Sequence, residues 1–274
     1  MLSPILSSGS PTPVPVAAPQ VSIPTPASAL RSELAQAARY VQALLPEPQS
    51  GIVETDWVFL PSAELGGDAF GYHWLDDEHF ALYLFDVSGH SIGAALHSVS
   101  VLNVLRTQGL RGANFYAPGE VLSALNEAFP MQCYDNLFFT IWYGVYNART
   151  RRLTYATGGH PPALLVTGGE GERLPQVERL RTRGPMIGGM RGMTFPSVTR
   201  TMPLGSSLYL FSDGIYEVRQ GARTMMVLDD FEKLLLEQVA GGAGDVAGLM
   251  ARMNTLRKCR TGLDDTVLLR VTFH

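Results

Sequence analysis

The sequence predicts an α+β layered domain over about residues 50–274, on two observations. Two four-residue polar turns, Asp76-Asp77-Glu78-His79 and Asn147-Ala148-Arg149-Thr150, each separate two apolar runs. Links that short make the strands on either side antiparallel. Helical stripes arrive in pairs, Ile92–Leu105 with Pro118–Phe129 and Leu228–Val239 with Val246–Arg257. Paired strands followed by paired helices argue for this class over a doubly wound parallel sheet.

Residues 1–27 are rich in Pro, Ser, Ala and Thr and carry no charged side chain. Such a stretch cannot bury a core and is expected to be a disordered tail or linker. Over 28–48, Leu30, Leu34, Ala37, Ala38, Val41, Leu44 and Leu45 form a helical stripe that Pro46 and Pro48 stop. It is expected either to pack on its own domain or to serve 28–45 as a regulatory lever and homodimer contact. From Gly51 the pattern turns to strands: Val53–Leu60, Phe70–Leu75, Phe80–Phe85, Phe138–Tyr146, Leu153–Ala156, Ala163–Val166, Thr194–Thr201, Ser207–Phe211 and Val267–Phe273. No internal repeat is visible, and 50–274 is expected to be one domain.

The chain's 274 residues are enough for a sizeable core, and 46% hydrophobic with 17% charged residues is an ordinary globular composition. A formal net charge of −4 without a dense Lys/Arg cluster argues against a nucleic-acid partner. No apolar run reaches the ~18 residues that cross a bilayer, so no membrane partner is expected. The first residues lack the basic start of an export signal, and the two cysteines, Cys133 and Cys259, have no CxxC spacing. A cytoplasmic location follows as the expectation.

The organising stretch is Phe80–Leu96. Phe80, Leu82 and Leu84 alternate with Tyr83 and Phe85 as a buried strand that ends on Asp86, and a helix begins after Ser91. Asp68 follows Gly66-Gly67, Asp213 follows the strand Ser207–Phe211, and Asp264-Asp265 precede Val267-Leu268-Leu269. Singly, each is a common turn residue. Jointly, strands of one sandwich can deliver their ends to one rim, where gathered carboxylates repel unless a cation sits between them. An all-oxygen set favours Mg2+ or Mn2+, and two such ions ~3.5–4 Å apart would acidify a water and clamp a phosphoryl group.

The segments PSAELGGDAF (61–70), FDVSGHSIGAAL (85–96), FFTIWYGVYNARTRRLTYATGGHPPALL (138–165), LYLFSDGIYE (208–217) and DDTVLLRV (264–271) occur in that order. Together they resemble the bacterial metal-dependent serine/threonine phosphatases of the PPM (type 2C) superfamily, SpoIIE-like branch, over about residues 50–273. The resemblance implies a four-layer αββα sandwich of two antiparallel sheets flanked by helix pairs. It implies that Asp68, Asp86, the Val87 carbonyl, Asp213 and Asp264 hold Mn2+ or Mg2+, two ions in all. A water bridging them would attack phosphorus directly, with His90 similar in place to a proton donor for the leaving oxygen, or else bracing its loop. The implied substrate is phosphoserine or phosphothreonine on a small regulatory protein, an anti-sigma-factor antagonist. Regulation is expected from an upstream sensor or receiver domain or from a partner protein.

Three departures stand against the pattern. Ser91 occupies a position that is usually Gly. Val267 stands where Thr or Ser normally follows, and sliding by one to use Thr266 would move the ligand from Asp264 to Asp265. The phosphate-gripping Arg of the wider superfamily has no counterpart, a lack shared with this branch.

Gly89-His90-Ser91-Ile92-Gly93 is also a literal G-x-S-x-G between strand and helix, with Asp135 and His160 following in the order of a serine hydrolase. The antiparallel hairpin before it and the unexplained aspartates weigh against that chemistry. A third alternative is a phosphatase-like binding module without turnover, which four filled carboxylate positions disfavour.

Overall fold

The computed structural model describes residues 26–62, 65–168, 174–217, 225–256 and 264–274, with side chains from Leu30 onward. The expected tail, all but its last two residues, lies outside the described residues, as do Arg257 and Cys259.

Among the described residues, ten strands form two five-stranded antiparallel sheets. One contains β1 (Val53–Leu60), β6 (Ala163–Thr167), β7 (Gln176–Leu180), β9 (Ser206–Phe211) and β10 (Thr266–Phe273), in the spatial order β1-β10-β9-β6-β7. The other contains β2 (Ala69–Trp74), β3 (His79–Val87), β4 (Phe139–Asn147), β5 (Arg152–Gly158) and β8 (Val198–Thr201), in the order β2-β3-β4-β5-β8. Helices α2 (Ile92–Arg106) and α3 (Pro118–Ala128) cover the second sheet, and α4 (Leu228–Ala240) and α5 (Val246–Leu256) cover the first. The result is the αββα order of layers.

Strand β3 shows how the sequence dictates these layers. Successive side chains of a strand point to opposite faces. Phe80, Leu82 and Leu84 enter the core between the sheets with Trp142, Leu210 and Leu269. Ala81, Tyr83 and Phe85 meet Val101, Leu102, Leu105 and Leu125 of the helix layer. On the other side Tyr209, Phe211 and Leu268 face Phe231, Leu235, Leu249 and Met253. A strand covered on both faces must be apolar throughout, so the alternation in β3 is one of shape more than polarity.

Three elements and one boundary depart from expectation. Helix α1 runs from Pro26 to Gln42, starting inside the expected tail and stopping before Leu44-Leu45. Pro46 disfavours helical backbone at the residue before it, which ends the helix early. Leu45 instead is buried between the sheets. The carbonyls of Pro46 and Glu47 accept hydrogen bonds from the Trp57 indole (3.0 Å) and the Tyr72 hydroxyl (2.7 Å). The packed body therefore includes residues 45–49, ahead of the expected boundary at 50. Of the strand expected over Thr194–Thr201, only Val198–Thr201 pairs, because Pro196 has no N–H to give a ladder. Strand β7 went unforeseen: Gln-Val-Glu-Arg-Leu is an edge strand whose charged side chains hide its pattern. Among the described residues, no helix is long and apolar enough to cross a membrane.

Candidate metal centre

Register brings the strand ends together. In the first sheet, Leu60 pairs with Thr266 and Phe211 with Leu268. The chain leaving β1, the chain leaving β9 and the chain entering β10 thus share one end. In the second sheet, Ala69 pairs with Phe85, which sets Asp68 at the entry of β2 beside Asp86 at the exit of β3. The sheets stack face to face through Trp57 and Phe70, whose ring centroids are 5.0 Å apart. Ser62 and residues 65–68, between β1 and β2, mark a segment crossing from one sheet to the other over this rim.

Asp68 is 3% exposed, and its Oδ2 has no hydrogen-bond partner among the described residues. Burial, then the charges of Asp86 and Asp265, raise its carboxyl well above the usual range. Burial and the charges of Asp213, Asp264 and Asp265 push Asp86 up to about 7. Asp213 rises to about 6 through burial, then the neighbouring charges of Glu217 and Asp264. The expected ligands therefore lie within electrostatic reach of one another, as their common rim requires. They do not close into a tight cage: among the described residues, no three His, Cys, Asp or Glu side chains reach metal-binding separation.

Divalent cations fit this donor set. The oxygen-only composition suits hard ions, the orphaned Asp68 Oδ2 lacks a positive or donating partner, and a cation would relieve the repulsion that raises Asp86 and Asp213. The Val87 carbonyl belongs to the same neighbourhood, because a Cβ on Gly67 would lie 2.7 Å from it. Only a glycine lets the crossing segment pass this close to another backbone.

The paired aspartates separate clearly. Asp264 is exposed, and its Oδ1 accepts from the Asp265 N–H at 2.8 Å. Asp265 is buried and turns toward the crossing segment, accepting from the N–H and hydroxyl of Ser62 and from the N–H of Gly67. Ser62, Ser212 and Glu217 also border the rim and were not foreseen. Ser62 lies in PSAELGGD and Ser212 directly precedes Asp213, but sequence alone gives neither a direction.

His90 lies exposed on the turn after β3, next to Gly89 with φ +86°. Ser91 is the N-cap of α2, its hydroxyl accepting from the Ala94 N–H at 3.1 Å with extended backbone (φ −85°, ψ 164°). It lacks the strained turn of a nucleophile elbow, and β3 is antiparallel to both its neighbours. Asp135 is exposed, whereas His160 is buried, its Nδ1 3.0 Å from the Pro161 carbonyl, and burial lowers its pKa to about 4. No hydrogen bond among the described residues joins these three into a triad.

The family model for stage II sporulation protein E (SpoIIE) matches residues 76–274. Phosphoserine phosphatase RsbU of Bacillus subtilis (strain 168) is 26% identical over 220 residues, covering 79% of this chain and 63% of RsbU. Phosphoserine phosphatase RsbP of the same strain is 27% identical over 192 residues, covering 68% of this chain and 46% of RsbP. This chain thus matches less than two thirds of the length of either relative. The solved SiaA-PP2C domain of Pseudomonas aeruginosa superposes with a TM-score of 0.71 at 16% identity, over 90% of this chain and 98% of that one. That likeness speaks for the fold alone.

Proposed function

The chain belongs to the SpoIIE family, and on that premise we propose that it is a metal-dependent protein serine/threonine phosphatase acting in the cytoplasm on a small phosphorylated regulatory protein. The substrate we assign is phosphoserine or phosphothreonine on an anti-sigma-factor antagonist, with control from an upstream sensor or receiver domain or a partner protein. One observation carries the activity: Asp68, Asp86, Asp213 and Asp264, from four separate segments, act electrostatically on one rim. The naming of RsbU and RsbP as phosphoserine phosphatases supports it.

Two Mn2+ or Mg2+ ions held by these carboxylates and the Val87 carbonyl would supply Lewis acidity at the phosphoryl group and lower the pKa of a water. The chain's own contribution is to hold the carboxylates in place. Asp68 is fixed by burial, and the crossing segment reaches it because Gly67 carries no side chain. His90, exposed at the entry of α2, is the group we assign to protonate the leaving seryl or threonyl oxygen.

The test is phosphate release from p-nitrophenyl phosphate and from a phosphoserine protein. Mn2+ or Mg2+ should support it, and excess EDTA should stop it. Asp86→Asn and Asp213→Asn should each abolish turnover while circular dichroism stays that of the parent. Wild-type rates in both variants would remove the metal centre from this rim. A folded wild-type protein that binds Mn2+ and a phosphoprotein without releasing phosphate would be a binding module instead.

A further inference from the structure

We infer that Asp265 is a positioning residue for the metal centre: its carboxylate clasps the crossing segment and thereby sets where Asp68 stands. The inference rests on the proposed metal-binding role of the rim and assigns the two adjacent aspartates different tasks.

Both oxygens of Asp265 are committed to the segment about 200 residues earlier in the chain. Oδ1 accepts from the Ser62 N–H (2.7 Å) and the Ser62 hydroxyl (2.8 Å). Oδ2 accepts from the Gly67 N–H (2.6 Å) and, at 3.3 Å, from the Asp68 N–H. A carboxylate offers about four acceptor positions, and four contacts leave none for an ion. The group is 4% exposed, so these bonds also replace the water it gave up on folding. Asp68 is the converse case, a buried carboxylate with an oxygen left open.

The same residue grips a second segment of the rim through its backbone. Its carbonyl accepts from the Ser212 hydroxyl at 3.2 Å, and a Cβ on Gly214 would collide with that oxygen. A Cβ on Gly66 would strike the Asp265 carboxylate itself. Small residues on both sides thus let one side chain and one carbonyl tie together the segments bearing Asp68 and Asp213. Asp264 stands exposed beside it, its Oδ1 accepting from the Asp265 N–H.

Asp265→Asn keeps the shape but sets an NH2 donor against two N–H or O–H donors of the segment. Ser62→Ala removes one donor while leaving the Asp265 charge in place, so its effect reports position and not electrostatics. In calorimetric Mn2+ titrations, Asp265→Asn should weaken binding by about 10–100-fold, the usual result of removing a group that orients a ligand. Turnover should recover as Mn2+ is raised. Ser62→Ala should shift affinity in the same direction by less. In the metal-free protein, the Gly67 and Asp68 amides should exchange hydrogen faster in both variants.

Wild-type Mn2+ affinity in folded Asp265→Asn would overturn the inference. Turnover lost at every Mn2+ concentration, as expected for Asp264→Asn, would also overturn it by making Asp265 a ligand. Should Asp265→Asn fail to fold, Ser62→Ala decides, and unchanged affinity and exchange there would overturn the inference. Wild-type protein that binds no Mn2+ would sink the metal reading instead. Amide exchange would then decide alone whether Asp265 holds the segment.

Discussion

The carbonyl oxygen of Val87 stands where a side chain on Gly67 would have to go, 2.7 Å from an added Cβ, with the Gly89 carbonyl at 3.0 Å on the same side. Backbone atoms of a strand end cannot yield as a flexible side chain can. Gly67→Ala should therefore move the Asp68 segment away from β3. Displacement of about 1 Å at a reacting centre costs on the order of 100-fold in rate. Steady-state kinetics at saturating Mn2+ should show that loss with a cooperative melt retained, and unchanged kinetics would mean the rim tolerates a wider spacing.

The metal-free protein should lose stability as pH rises from about 4 to 7. Asp86 and Asp213 are raised from 3.8 to about 7 and about 6, so the folded state holds protons that the unfolded chain has released. Their contribution is complete below about pH 4 and is lost as pH climbs through the folded values. His160, lowered to about 4, acts oppositely between about pH 4 and 6.5, as do His73 and His97, which burial also lowers, and together they offset the carboxylates in part. Melting in EDTA should show a net fall on the order of a few kcal/mol across the window. Asp86→Asn should flatten it, and added Mn2+ should raise the midpoint most at the alkaline end, where the carboxylates ionise.

Removing residues 1–50 should destabilise the layered body. Leu45 fills the core between the sheets, and Trp57 and Tyr72 hydrogen-bond to the carbonyls of Pro46 and Glu47. Loss of a buried leucine costs about 2–5 kcal/mol. A chain beginning at Gly51 should unfold at lower urea than one beginning at Ala43. Equal midpoints would show that 45–49 adds nothing.

Ser91→Ala should keep its turnover and lose only a helix cap, about 1 kcal/mol. Urea unfolding and phosphatase assays on the same preparation read both quantities. A rate that vanished with this hydroxyl, in protein indifferent to EDTA, would restore the serine-hydrolase chemistry.

Much of this architecture is legible in the sequence because local rules and burial agree. The turns Asp76–His79 and Asn147–Thr150 leave no length for a crossover, so the pairs β2–β3 and β4–β5 follow directly. Strand β7 escapes because an edge strand can stay charged, and the start of α1 escapes because Pro26 is acceptable only in a first helical turn. The four rim carboxylates are readable as strand ends. The division between Asp264 and Asp265 is not, since adjacent residues of one type differ only in the direction each faces, which contacts with Ser62 and Gly67 decide. Gly67 likewise reads as a turn glycine until Val87 is seen against it.

The two sheets are stitched at two levels, by the chain entering β1 and by the link between β1 and β2. Partway along the strands, Trp57 from one sheet and Tyr72 from the other fasten to neighbouring carbonyls of the incoming chain. At the rim, Asp265 from one sheet fastens to the first residues leading into the other. Sliding one sheet over its mate would have to tear both seams. The sandwich thus resists shear best along the edge where its charged groups meet.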